Sequence, residues 1–297
     1  MVKSKSTRKA YGGWRPIQAL LISVIAGALC IGSMSTAAQE ATLHFGVLNQ
    51  RSIALTAQYW NPILQYVTQR SGVPLRLKMG KTAPETTAMT LRGEFAFVYT
   101  NHLFTPERAR LGYQVIARPH TPGIRSQIVV HDDSRLRTLA DLNGRKLVFP
   151  SREAFLGYAV PLEALRHANV EVVQTFAGNQ EGAIAQLQSK NVDAAAVNAQ
   201  VIENYARREN FRYRVLWSSM LYLDLPVMAN PTVPKSKVKA VQSALIGMAD
   251  DPEGRKILEA GSLLLKLSGE PGFIAADNQD YSNYREFHQQ AQARNKK

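Results

Sequence analysis

Thr138-Leu139-Ala140-Asp141-Leu142-Asn143-Gly144-Arg145-Lys146-Leu147-Val148-Phe149 is the stretch that decides the fold. A threonine with an acid three residues later is a helix-start signature, so Thr138–Leu142 reads as a short capped helix. Gly144 ends it, and Lys146-Leu147-Val148-Phe149 reads as a strand. The same helix-to-strand step recurs outward in both directions. Downstream, a helix is expected over about 157–167, a strand over 170–175, a helix over 181–189 and a strand over 192–197. Helix 201–209, strand 213–217 and a long helix over 235–248 complete that half. Past Gly254 the pattern weakens, and the last ten residues read as a polar tail. Upstream, strand 127–130 precedes the quoted stretch.

The first half of the chain alternates in the same way. Strand 42–48 is followed by a helix over about 54–70, in which Trp60, Leu64 and Val67 recur at three- and four-residue spacing. Gly72 stops it. Strand 74–79, helix 84–92, strand 95–99, helix 106–111 and strand 113–117 follow. Regular alternation of this kind predicts an α/β fold with mainly parallel sheets.

Composition narrows the class. The 297 residues are 45% hydrophobic and 20% charged, ordinary globular values. The one cysteine, Cys30, excludes a disulfide scaffold and a cysteine-ligated metal centre. The formal charge of +13, less the five basic residues before Ala38, leaves +8 on the remainder. No clustered Lys/Arg stripe accompanies it, so nucleic acid is not an expected partner. Residues 1–38 have a basic start, an apolar middle (Ile17–Ile31) and a small-residue exit ending Ser35-Thr36-Ala37-Ala38. This is a secretory signal peptide, with cleavage expected at Ala38 and the mature chain in a Gram-negative periplasm. The rival is an uncleaved anchor, since the 24 uncharged residues between Arg15 and Glu40 are long enough to span.

Motifs for catalysis are missing. The six histidines lack metal-site spacing. Gly80-Lys81-Thr82 resembles the end of a phosphate-binding loop, but Leu75 stands where its first glycine belongs. There is no Gly-x-Ser-x-Gly elbow. Asp132-Asp133 and Asp250-Asp251 are read as turn or helix-start caps. No enzyme, metal or cofactor is expected; a binding protein is.

Several segments carry a resemblance, in order along the chain. They are Tyr59-Trp60-Asn61-Pro62-Ile63-Leu64-Gln65-Tyr66-Val67, Leu91-Arg92-Gly93-Glu94-Phe95-Ala96-Phe97, and Arg125-Ser126-Gln127-Ile128-Val129-Val130. Leu139–Lys146, Gln188-Ser189-Lys190-Asn191-Val192-Asp193-Ala194-Ala195, Asp251-Pro252-Glu253-Gly254 and Gly272-Phe273…Asp280-Tyr281 complete the set. Together they resemble the PhnD-like family of phosphate, phosphite and phosphonate periplasmic substrate-binding proteins, as a divergent member. The resemblance implies a two-lobed periplasmic binding protein of type 2. Each lobe would be a mainly parallel sheet flanked by helices, joined by two crossover strands near Ser126–Val130 and Ser218–Leu223. Lobe one is expected over 42–127 plus 221–297 and lobe two over 128–220.

The departures bear on ligand choice. Where similar phosphonate binders carry a Ser-Thr-Ser-Gly run at a helix N-terminus, this chain reads Ala154-Phe155-Leu156-Gly157, with Pro161 in register. The family's second-lobe Ser-His-Asp stretch is replaced by Gly178-Asn179-Gln180-Glu181. Arg152 is either a substitute anion partner or a solvated loop arginine. Candidate ligand-binding residues lie at strand ends: Asn49, Tyr99, Thr100, Asn101 and Ser126, faced by Phe155, Asn179 and Asn198. Trp60 is read as core and Asp193 as a structural residue. Tyr59 either closes over the ligand or is simply exposed.

The resemblance implies a monomeric periplasmic receptor that binds a small, anionic solute by hinge closure and delivers it to the inner-membrane permease of an ABC importer. The alternative is a sensory adaptor that docks on a membrane sensor kinase or cyclic-dinucleotide enzyme.

Overall fold

The structure is a computed structural model that describes residues 41–295. The expected signal peptide, residues 1–38, lies outside the described residues.

β1 (Leu43–Val47) leads into α1 (Ile53–Ser71), the expected helix. Ser52 caps its start by accepting from the Leu55 amide. Gly72, in the left-handed region at φ +69°, closes its end. β2 (Leu75–Lys78), α2 (Ala83–Leu91), β3 (Phe97–Tyr99), α3 (Pro106–Ala109) and β4 (Gln114–Pro119) follow. A second series runs β5 (Ser126–His131), β6 (Lys146–Phe149), α4 (Val160–His167), β7 (Val173–Phe176), α5 (Gln180–Gln188), β8 (Ala194–Asn198), α6 (Ala199–Glu209) and β9 (Tyr213–Ser218). The chain returns through β10 (Val227–Ala229), α7 (Lys235–Ile246), α8 (Pro252–Leu265), β11 (Phe273–Ala275) and α9 (Ser282–Asn295).

The strands form two sheets. One has the order β11-β4-β10-β3-β1-β2, the other β7-β6-β8-β5-β9. β2, β1 and β3 pair in parallel, as do β7, β6 and β8. β10 runs antiparallel between β3 and β4, and β5 antiparallel between β8 and β9. The sheets are therefore mainly parallel in strand direction. β5 and β10 are the crossover strands; β10 begins a few residues after the expected Ser218–Leu223.

The two links between the sheets, residues 120–125 and 219–226, run side by side. Ile124 and Tyr222 exchange backbone hydrogen bonds of 2.6 and 2.9 Å. Gly123 makes this approach possible. It has φ +126°, and a Cβ there would sit 2.5 Å from the Tyr222 carbonyl oxygen.

Three expectations about helices need correcting. The Thr138–Leu142 helix is one tight turn over Ala140–Leu142, and the threonine hydroxyl does not cap it. Instead Asp141 reaches back and accepts from the Arg137 and Thr138 amides. The 157–167 helix begins earlier, with a wide π turn at Phe155–Ala159. The weak region past Gly254 contains α8 and α9, so the polar tail is largely helix. Few apolar side chains mark α9, chiefly Tyr284 and Phe287, too few to show a helical period.

Core packing follows the burial pattern. Trp60 is core, touching Phe45, Tyr59, Tyr99 and Phe273 at ring distances from 5.0 to 5.9 Å. Phe155, Leu156 and Val160 leave the second sheet's series and bury in the same apolar cluster as the first sheet's side chains. Asp193 is structural, accepting from the Lys146 amide at 2.8 Å. Arg152 stacks 4.6 Å over Phe176 and donates to the Tyr158 hydroxyl. Asp251 caps α8 as expected. Asp132 and Asp133 are not caps; they pair with Arg212 and Lys190 and flank His131.

Candidate functional site

Parallel strands aim their C-terminal ends at one region, and ligands of open α/β sheets bind there. In this chain β1 runs out into Leu48-Asn49-Gln50-Arg51 and β3 into Thr100-Asn101-His102. β6 and β8, from the other sheet, deliver Pro150-Ser151 and Asn198 to the same gap. Two adjoining cavities lie there, sharing Leu48 and Gln50.

The larger, about 60 Å³, is lined by Arg51, Tyr59, Trp60, Tyr99, Asp224 and Phe273 among others. Asp224 is 2% exposed. Its Oδ1 accepts from the Leu225 amide at 2.7 Å and the Tyr99 hydroxyl at 3.4 Å. Burial pushes the carboxyl up to about 6, against the lowering effect of the Leu225 amide. The nearby charges of Arg51 and Arg118 and the Tyr99 hydroxyl also lower it, without offsetting burial. Arg51 is the complement. Its Nε is buried without a hydrogen bond, and the nearest carboxylate, Glu181, is 4.0 Å away. Burial holds both phenols in the neutral form: Tyr59 is pushed up to about 12 and Tyr99 well above its usual value. The cavity thus offers one buried anion, one guanidinium with unused donor capacity, and aromatic faces between them. Such faces attract cations, and a guanidinium matches carboxylate or phosphonate oxygens.

The smaller cavity, about 20 Å³, has room for about one water. It is lined by Asn49, Asn101, His102, Ser151, Phe155 and Asn198 among others. The Ser151 hydroxyl is buried there without a partner. His102 is bound to the Thr87 hydroxyl at 2.8 Å. Burial, then Arg108, holds its pKa down to about 3, so it is neutral and does no acid–base work near pH 7.

The rim joins the two sheets directly. The Glu181 amide donates to the Gln50 carbonyl, and the Ala83 amide to the Gly178 carbonyl, both at 3.0 Å. The Glu181 carboxylate accepts from Arg208 at 2.8 Å.

Of the residues expected in the site, Tyr99 lines the larger cavity, and Asn49, Asn101, Phe155 and Asn198 line the smaller. Asn49 spends its amide on the fold, donating to the Gly80 carbonyl and accepting from Thr86. Asn198 caps α6 and Asn179 caps α5. Thr100, Ser126 and Asn179 line neither cavity. Thr100 accepts from the His102 amide, and Ser126 is bonded through its backbone to Ser219 at the links. Sequence reasoning missed Arg51, Ser151 and Asp224. Asp224 did carry a signal: it is a lone acid in the apolar run Tyr222-Leu223-Asp224-Leu225-Pro226.

Outside the cleft, His131, Asp132 and Asp133 place possible ligand atoms within 4.8 Å of one another. Lys190 and Arg212 already neutralise the two carboxylates.

Two sheets of this strand order, crossed twice by the chain and meeting at their strand ends, define the type 2 periplasmic binding protein fold. The chain belongs to the family described as ABC transporter, phosphonate, periplasmic substrate-binding protein, whose model matches residues 45–281. It is a solute-binding protein.

Solved structures agree on the fold. The binding-protein component of an ABC phosphonate transporter from Pseudomonas aeruginosa is 17% identical, with a TM-score of 0.72 over 83% of this chain and 85% of that one. PhnD1 from Prochlorococcus marinus, in complex with methylphosphonate, is 20% identical, with a TM-score of 0.72 over 84% and 98%. An ancestral arginine-binding protein bound to arginine is 18% identical, with a TM-score of 0.52 over 74% and 97%. No curated protein sequence matches the chain. Among the described residues no helix is long and apolar enough to cross a membrane.

Proposed function

We propose that the protein captures a small zwitterionic solute in the cleft and presents it to the membrane permease of an ABC importer. One observation carries the reading: a buried carboxylate, Asp224, and a buried guanidinium nitrogen without a hydrogen bond, Arg51, line the same cavity. An isolated charge in a poorly hydrated site is costly, and a ligand of opposite charge removes that cost. A solute with a cationic and an anionic end satisfies both. An anion alone, the expectation from sequence, would draw on Arg51 and share the cavity with the buried carboxylate of Asp224. The site takes its anion at Arg51 and not at the turn before α4, where this chain carries Ala154-Phe155-Leu156 and no hydroxyl.

In this reading the lobes are residues 42–127 plus 221–297 and 128–220, and they hinge at the paired links. Ligand stabilises the closed state, and the permease recognises that state. The protein works as a periplasmic monomer after loss of residues 1–38. Membership in an importer family favours transport over the sensory adaptor.

The test is a thermal-shift panel on residues 39–297: 2-aminoethylphosphonate, amino acids and glycine betaine against methylphosphonate, phosphate and acetate. A ligand at a hundred times its dissociation constant stabilises by about 2.7 kcal/mol. The zwitterions are expected to raise the melting temperature more than their singly charged analogues. Equal shifts from methylphosphonate and 2-aminoethylphosphonate would refute the zwitterion reading.

A further inference from the structure

α9 is bonded to both sides of the cleft. Tyr284, wholly buried, stacks on Phe155 with ring centres 4.2 Å apart, and Phe287 and His288 pack on the same ring at 5.1 and 5.3 Å. Phe155 belongs to the π turn after β6, on the second-sheet side. On the first-sheet side, Phe104 after β3 stacks on Tyr281 at 4.9 Å and meets Tyr284 at 5.1 Å. The far end of the helix repeats the arrangement with polar groups. Gln292 donates to Glu107 of α3 at 2.6 Å, and Arg294 pairs with Glu163 of α4 at 3.0 Å. Tyr281 and Tyr284 donate to the Asp224 and Leu223 carbonyls, both at 2.6 Å. Those carbonyls lie on the second link, so the segment touches both halves and the hinge between them.

We propose that α9 is an intramolecular strap that holds the cleft closed before solute arrives, gripping the second half through Phe155. The inference rests on the hinge reading above. Buried aromatic stacking contributes beyond area alone, and these contacts are made only while both halves are adjacent. The strap therefore biases the closed state, which raises the population competent to hold solute. The π turn before α4 serves in this chain as the strap's docking point.

The test is small-angle X-ray scattering on residues 39–297 without solute, so its outcome is independent of ligand identity. A compact chain of this length has a radius of gyration of about 18 Å. The wild type is expected at that value. Tyr284→Ala with Phe287→Ala is expected to shift it upward while circular dichroism still reports a folded protein. A second variant, Arg294→Glu with Gln292→Ala, alters only the rim contacts and is expected to shift it in the same direction; Arg294→Lys is expected to keep the wild-type curve. If the first variant does not fold, the second decides. Folded variants that superimpose on the wild type overturn the strap, as does a wild type already expanded. A failed solute panel beside a successful scattering test would discard the zwitterion and leave the strap standing.

Discussion

Burial raises the Asp224 carboxyl, and that has a measurable sign. Its folded pKa of about 6 lies above the unfolded value near 3.8. Its contribution to stability is thus fully present below about pH 4 and is lost as pH rises through about 6. Asp224→Asn removes the charge and keeps an oxygen for the Leu225 amide. The ligand-free variant is expected to be more stable than wild type at pH 8, by on the order of 2 kcal/mol, and no more stable at pH 4. Urea denaturation at the two pH values checks this; a variant less stable at pH 8 would contradict it. Gly123 makes a second residue-scale claim. Alanine there is strained at φ +126° and drives its Cβ against the Tyr222 carbonyl. Gly123→Ala is expected to cost about 2 kcal/mol in the same assay.

At the scale of elements, α5 separates structural residues from binding ones. Asn179 accepts from the Gly182 amide at 2.7 Å as the helix cap and lines neither cavity. Asn179→Ala is expected to cost about 1 kcal/mol of stability and to leave the shift from a bound zwitterion unchanged. Asn179→Ser is expected to restore most of the loss. A selective loss of the ligand shift would return Asn179 to the site. This example shows what the sequence disclosed. Alternating strands and helices were legible from period and from Gly72, Gly93 and Gly144, because local chemistry sets them. Strand ends were legible as the place of the two cavities, because topology brings them together there. Which strand-end side chains already spend their polar groups on the fold was not legible. Asn49, Asn179 and Asn198 all suit a pocket, yet each spends its amide on a loop or a helix start. Arg51, in the loop before α1, and Asp224, on the second link, line one cavity although they are far apart in sequence. α9 escaped notice because its buried side chains suit a partner surface and not a helical period.

For the whole molecule, pH response sums the buried groups. Burial lowers His102 to about 3 and His288 to about 4, below the unfolded value near 6.5. Each is neutral in the folded protein, His102 buried and His288 partly so, and its contribution is present above pH 6.5 and is lost as pH falls toward the folded value. Asp224 acts oppositely between about 4 and 6. Two histidines outweigh one aspartate, and stability is expected to fall from pH 7 to pH 4; a flat or rising urea midpoint over that range would contradict the assignment. The central claim remains that this solute-binding protein holds a doubly charged ligand between Arg51 and Asp224. Its most direct measurement is the melting temperature of residues 39–297 and of Arg51→Ala, each with 2-aminoethylphosphonate, amino acids and glycine betaine. The account expects at least one zwitterion to raise the wild-type melting temperature and the rise to vanish in a folded Arg51→Ala. A panel that leaves the wild type unmoved, or an undiminished rise in Arg51→Ala, would contradict it.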